Sequence, residues 1–218
     1  MFAHPLLAAL EPEQRRHVVL QCDSRVVKRG EQLLRVGQPC EAVFLLHAGI
    51  VRVEMPAREG PACVGFLTAG DLIVEKLSGQ SWTAEASYEA VVDATVFKMP
   101  TFLLRNLMQA HAEVTSVFVD SCLDRVTKLR RQLRRMQQDS MDSSLGRTLY
   151  ELSSRSPDGR RIVDKRITQA TLADFVGLSR EQVNKLMKSL REQGVLDKTE
   201  EGYVVSDVFQ DTGLTPLA

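Results

Sequence analysis

Ile167-Thr-Gln-Ala-Thr-Leu-Ala-Asp-Phe-Val-Gly-Leu-Ser-Arg-Glu-Gln-Val-Asn-Lys-Leu-Met-Lys-Ser-Leu-Arg-Glu-Gln-Gly-Val-Leu196 is the stretch that decides the fold. Thr168 can cap a first helix whose inward positions are Leu172, Ala173 and Val176. Gly177 stands where a tight turn between two helices needs a positive φ. Ser179 with Gln182 three residues on is a capping box opening a second helix. Val183, Leu186, Met187 and Leu190 are that helix's apolar stripe, and Gly194 ends it. Two short helices crossed at a glycine turn read as a helix-turn-helix. Removing the stripe leaves Arg180, Glu181, Asn184, Lys185, Lys188 and Arg191, four of them basic. The first two turns of such a helix meet base edges: Arg and Lys donate to guanine, Glu accepts from cytosine, and Asn suits adenine. Ser179 and the helix N-terminus offer N–H groups to a phosphate. Thr168 and Gln169 complete the expected DNA-facing set.

Downstream, Val195–Thr199 and Tyr203–Ser206 flank Glu200-Glu201-Gly202 as a hairpin, so the unit is winged. Upstream, Arg161 to Ile167 alternates as a short strand. Ser156-Pro-Asp-Gly159 is a turn by composition. Leu145, Leu149 and Leu152 stripe another helix. Gln137 to Ser144 is a polar hinge in which Asp142 or a neighbouring Ser caps that helix. Before the hinge, Thr115, Val119, Cys122, Val126, Leu129, Leu133 and Met136 recur at alternating spacings of four and three. That seam predicts a helix paired with its counterpart in a second copy, with Val119 to Met136 as the dimer interface.

Between Val26 and about Met99 the texture is β. Short runs (Val26-Val27, Ala42–Leu46, Ile50–Val53, Cys63–Leu67, Val91–Phe97) are divided at Gly30, Gly37-Gln38-Pro39, Gly49, Gly60-Pro61 and Gly70-Asp71, as in a barrel or jelly roll. A short helical opening over 5–22 precedes them, with Leu6, Leu7, Leu10, Val18 and Val19 as its apolar positions. The expected fold is α+β. It has a β-roll domain at 1–108, a long dimerisation helix at 109–138 and a winged helix-turn-helix at 139–218.

The 218 residues carry 28 basic and 28 acidic side chains, so any nucleic-acid surface must be local. No signal peptide and no apolar run of spanning length is visible, which predicts a cytoplasmic protein without membrane contact. Cys22, Cys40, Cys63 and Cys122 form no C-x-x-C pair and no zinc spacing, and read as reduced thiols. The phosphate-loop, dinucleotide, zincin and nucleophile-elbow motifs are all absent, so the chain is not expected to be an enzyme.

Val176-Gly-Leu-Ser-Arg-Glu-Gln-Val-Asn-Lys-Leu-Met-Lys188 resembles the G-x-S-R-E-x-V-x-R-x-L segment of the cAMP-receptor-protein/FNR (Crp/Fnr) transcription regulators. Val27-Lys-Arg-Gly-Glu31, Gly37, Leu45 to Val53 and Leu67-Thr-Ala-Gly-Asp71 follow that family's β-roll, a double-stranded β-helix of the cyclic-nucleotide-binding type. The resemblance implies a homodimer on double-stranded DNA with TGTGA-like half-sites read by Arg180, Glu181 and Lys185. The two recognition helices would stand ~34 Å apart, and RNA polymerase would be a partner. Lys185 stands where the cAMP receptor protein has Arg, and an ammonium cannot make a guanidinium's planar fork.

The resemblance bounds an effector pocket with Gly70, Leu72, Val74, Glu75, Thr83 and Ala84. Members that bind cyclic AMP have a Gly-Glu pair where this chain has Val74-Glu75, and then an Arg-Ser pair. No arginine lies between Lys76 and Arg105, so cyclic AMP is disfavoured. The cysteines do not cluster as in the iron–sulfur branch, and such a cluster is not expected. Haem is a minor candidate through His4, His17, His47 or His111. The effector is otherwise left open.

Overall fold

The computed structural model describes residues 4–58, 60–79, 81–138 and 141–209, excluding the side chains of 131, 132, 134–138 and 142. The chain forms two compact units, the second beginning at Thr127.

The first unit opens with α1 (Pro5–Ala8) and α2 (Pro12–Leu20), each with proline in its first turn, where the missing N–H costs nothing. Eight strands follow: β1 (Asp23–Val27), β2 (Gln32–Leu34), β3 (Pro39–Cys40), β4 (Ala42–Ala57), β5 (Gly60–Thr68), β6 (Leu72–Ile73), β7 (Trp82–Thr83) and β8 (Ser87–Pro100). One sheet runs β1-β8-β4-β5, with β2 also on β8 and β6 on β4, while β3 pairs with β7. The helices α3 (Thr101–Ala110) and α4 (Ala112–Gln138) complete the unit and carry the chain out of it.

Continuous burial of Ala42–Leu46 follows from covering both faces of β4. Ala42, Phe44 and Leu46 point into the roll with Val27, Ala94 and Val96. Val43 and Leu45 point out, under Leu6, Leu7, Leu103, Leu104 and Val114 of the helices. A strand buried on both faces loses the two-residue alternation.

The division expected at Gly49 is absent: β4 runs through it, with register shifts on either side of Ala48. Gly49 is required there by approach of a neighbour rather than by a turn, since a Cβ would lie 2.5 Å from the Ala94 Cα. The hairpin expected at Gly60-Pro61 turns earlier, because both residues already pair with β4.

In the second unit α5 (Met141–Leu152) precedes β9 (Ser154–Arg155) and β10 (Arg161–Asp164). Then come α6 (Gln169–Val176), α7 (Arg180–Glu192), β11 (Leu196–Lys198), β12 (Gly202–Val205) and a 3₁₀ turn at Asp207–Phe209. The sheet order is β11-β12-β10-β9, all antiparallel. Helix α5 is described from Met141; residues 139 and 140 of the expected hinge and the side chain of Asp142, expected as a cap, fall outside the described residues. The strand expected to reach Ile167 stops at Asp164. There the Arg166 guanidinium grips the Asp164 carboxylate at 2.6–3.0 Å and closes a turn. The same hydrogen bond holds the Asp164 carboxyl below its usual range. Leu145, Leu149, Leu172, Val183 and Leu190 form the buried centre.

Candidate nucleic-acid interface

Local chemistry builds the α6–α7 pair as the sequence predicts. The Thr168 hydroxyl accepts from the Thr171 N–H at 3.1 Å. Gly177 has φ 68° and closes α6 through its N–H on the Ala173 carbonyl. The Ser179 hydroxyl accepts from the Gln182 N–H at 3.2 Å, and the Gln182 side chain accepts from the Ser179 N–H at 2.8 Å. Val183, Met187 and Leu190 are buried, whereas Leu186 and Val176 are only half-buried.

With that stripe inward, Arg180, Glu181, Asn184, Lys185, Lys188 and Arg191 all stand exposed. Among the described residues, the side chains of Arg180, Glu181 and Lys185 make no internal hydrogen bond or ion pair. Lys188 reaches Glu192 at 3.8 Å with both groups largely exposed, a contact of little strength.

Two of the expected groups also take part in internal hydrogen bonds. Asn184 Oδ1 accepts from Gln169 Nε2 at 3.3 Å, which braces α7 against α6. Asn184 stays exposed, with a second lone pair on that oxygen and its amide N–H groups turned to no internal partner among the described residues. The capping box takes the Ser179 and Gln182 N–H groups, leaving those of Arg180 and Glu181 for an anion.

The wing adds groups that sequence reasoning missed. Lys165 and Lys198 line an open cleft with Thr199, Glu200, Gly202 and Tyr203, and Lys165 Nζ donates to the Glu200 carbonyl at 3.2 Å. Their spacing of 33 positions becomes proximity only through the β10–β12–β11 register.

In the first unit the six expected pocket residues do not share one environment. Gly70 and Asp71 form a turn whose Asp71 carboxylate accepts from the Thr68 N–H at 2.7 Å. Leu72 and Val74 pack toward the helices. Thr83 is exposed, and the N–H and carbonyl of Ala84 are both bonded to the 37–38 loop. The Glu75 carboxylate is internally satisfied: it accepts from the Glu85 N–H at 2.6 Å and the Tyr88 hydroxyl at 2.9 Å. Burial and that bond push the Tyr88 phenol up, keeping it a donor. Nearby, Arg52 is held between Glu54 and Glu89, at 3.1 Å from each.

The histidines are scattered. His4 is buried, and desolvation lowers its pKa; its Nδ1 accepts from the Leu6 N–H. His17 is exposed, His111 is half-buried between α3 and α4, and His47 lies 5.6 Å from the Phe97 ring. The four cysteines are free, and no metal-holding group of His, Cys, Asp or Glu occurs among the described residues. No helix among them is long and apolar enough to cross a membrane.

On α4, Val119, Cys122, Val126, Leu129 and Leu133 are exposed, joined by Leu123, which the seam reading missed. Thr115 is half-buried and donates to the Met108 carbonyl, so the bare stripe starts at Val119. The Met136 side chain lies outside the described residues.

Comparison with known proteins gives two family matches: the cyclic nucleotide-binding domain over residues 24–111 and the Crp-like helix-turn-helix domain over 144–209. Similar curated proteins include the cAMP-activated global transcriptional regulator Vfr of Pseudomonas aeruginosa, 26% identical over 82% of this chain and 87% of that protein. Another is the global nitrogen regulator of Synechococcus elongatus, 24% identical over 78% and 79%. Among solved structures, FixK2 of Bradyrhizobium japonicum matches 90% of this chain and 98% of its own, with a TM-score of 0.74 and 18% identity. A CooA mutant from Carboxydothermus hydrogenoformans matches 89% and 87%, with a TM-score of 0.67 and 16% identity. With a β-roll and a winged helix-turn-helix each matched in their own right, the chain belongs to the Crp/Fnr family of transcription regulators.

Proposed function

We propose that two copies of this chain bind a two-fold symmetric operator with TGTGA-like half-sites, reading it through Arg180, Glu181 and Lys185. The observation that carries the reading is the state of those three side chains, exposed on the first two turns of a capped helix with no internal partner among the described residues. Lys165 and Lys198 on the wing supply phosphate contacts beside them. RNA polymerase is the expected protein partner.

Arg180→Ala should weaken binding to the cognate duplex by ~1–3 kcal/mol and relax preference at one base pair, as loss of a bidentate contact does. Competition against random DNA checks this, and equal losses on both would contradict base reading. Affinity should also fall steeply with salt through counterion release.

The effector is proposed to be something other than a cyclic nucleotide. The carboxylate of Glu75 is engaged by Glu85 and Tyr88, Arg52 is held by two glutamates, and the Ala84 N–H is committed. A cyclic phosphate would therefore meet neither a free cation nor a free donor among these groups. Calorimetry with cyclic AMP at micromolar concentrations should give no saturable heat, and a hyperbolic isotherm would refute this.

A further inference from the structure

The end of the β-roll formed by β1, β3 and the close of β8 holds a cavity of about 810 Å³, distinct from the Gly70–Glu75 region. Its floor is apolar and part of the roll's own core: Leu33, Leu34, Cys40, Ala42 and Phe44. Its mouth carries charge, and the strand register shows why. Asp23 pairs with Lys98, which pairs with Phe44; Arg25 pairs with Val96, which pairs with Leu46. Residues directly opposite on neighbouring strands share a face. Phe44, Leu46 and Val96 point into the roll, so Asp23, Arg25 and Lys98 point the same way.

Inward charges can protect an edge strand, and β1 is an edge. Strand β8 is central in the sheet, so edge protection does not account for Lys98. Arg25 is paired with Glu31, and Arg105 donates to the Gly79 carbonyl at 3.1 Å. The Lys98 ammonium has no hydrogen-bond or ion-pair partner among the described residues. Phe102, 53% exposed, forms the lip.

We infer that this cavity binds a small amphiphilic monocarboxylate, its apolar body over Phe44 and Phe102 and its carboxylate on Lys98. The volume leaves room for a ligand larger than a short-chain acid, and an apolar floor below a charged mouth matches a molecule that is apolar at one end and anionic at the other. With Arg25 neutralised by Glu31, the Lys98 ammonium, which has no partner among the described residues, is the group that favours an anion over an amine. This inference is independent of the DNA-binding reading.

Trp82, the chain's one tryptophan, is buried in the same core and pairs with Cys40 of the lining, so its fluorescence reports on the site. The full chain is titrated with octanoate, octylamine and octan-1-ol. Octanoate should give a saturable change with a Kd of about 1 mM or tighter, with octylamine about tenfold weaker or more. Lys98→Gln should weaken octanoate by about tenfold and leave octan-1-ol unchanged, as expected for one charge-assisted contact; Lys98→Arg should retain binding. No saturation with octanoate, octylamine binding as tightly, or an unchanged Lys98→Gln affinity would each overturn the assignment.

Discussion

Leu129→Asp should yield a monomer that holds a symmetric operator about 10²–10⁴-fold more weakly than the parent, because the second recognition helix no longer binds as part of one body. Val119, Leu123, Val126, Leu129 and Leu133 are 40–62% exposed along a single helix of 27 residues. Residues three and four apart on a helix fall on one side, and an apolar stripe of this length finds its cover in a second helix. Near a two-fold axis, the carboxylate introduced at position 129 of each chain would face its own copy. Two like charges would then be brought together in a site that excludes water. Light scattering after size exclusion and titration of a palindromic duplex measure the two consequences. Leu129→Ile should preserve both properties. A Leu129→Asp protein that remains dimeric in light scattering would show that the stripe is not the dimer contact.

Gly202→Ala should be the most damaging small substitution in the DNA-binding unit. Gly202 pairs with Asp164 at φ 151°, and a Cβ there would lie 1.9 Å from the Val163 carbonyl oxygen. The collision is with backbone of a paired strand, which no rotamer change relieves. The positive φ adds strain of its own, and together these should cost about 3 kcal/mol. For a unit of this size that lowers its melting temperature by roughly 15 °C. Helical ellipticity of the winged unit should melt early, while Trp82 fluorescence in the β-roll should keep its midpoint. An unshifted ellipticity transition would mean that the hairpin can open at Gly202 without disturbing the core.

What the sequence made legible was local. The cap at Thr168, the Ser179–Gln182 box, the Gly177 turn and the Val183–Leu190 stripe each lie within a few residues, and each is sufficient by itself to specify its turn of chain. Features requiring register were hidden. Gly49 looked like a turn because its role depends on Ala94, 45 positions away and close only once β4 and β8 pair. Asn184 reads from the sequence as a side chain without neighbours, whereas Gln169, fifteen positions back, donates to its oxygen once α6 and α7 cross. Glu75 matched a family position, but Tyr88 decides what its carboxylate does. The inward direction of Lys98 follows from pairing alone, since its flanks Phe97 and Met99 face the helices.

The ring of Phe209 occupies the space beside Gly146, where a Cβ would lie 2.3 Å from it. The last described turn is thus seated on the first helix of its own unit. Because domains generally fold as units in order of synthesis, the β-roll can be complete while the operator-reading unit still awaits its final piece. A chain cut before Phe209 is therefore expected to keep its β-roll and to lose stability in the winged unit, since α5 would lose the ring that fills the space beside Gly146.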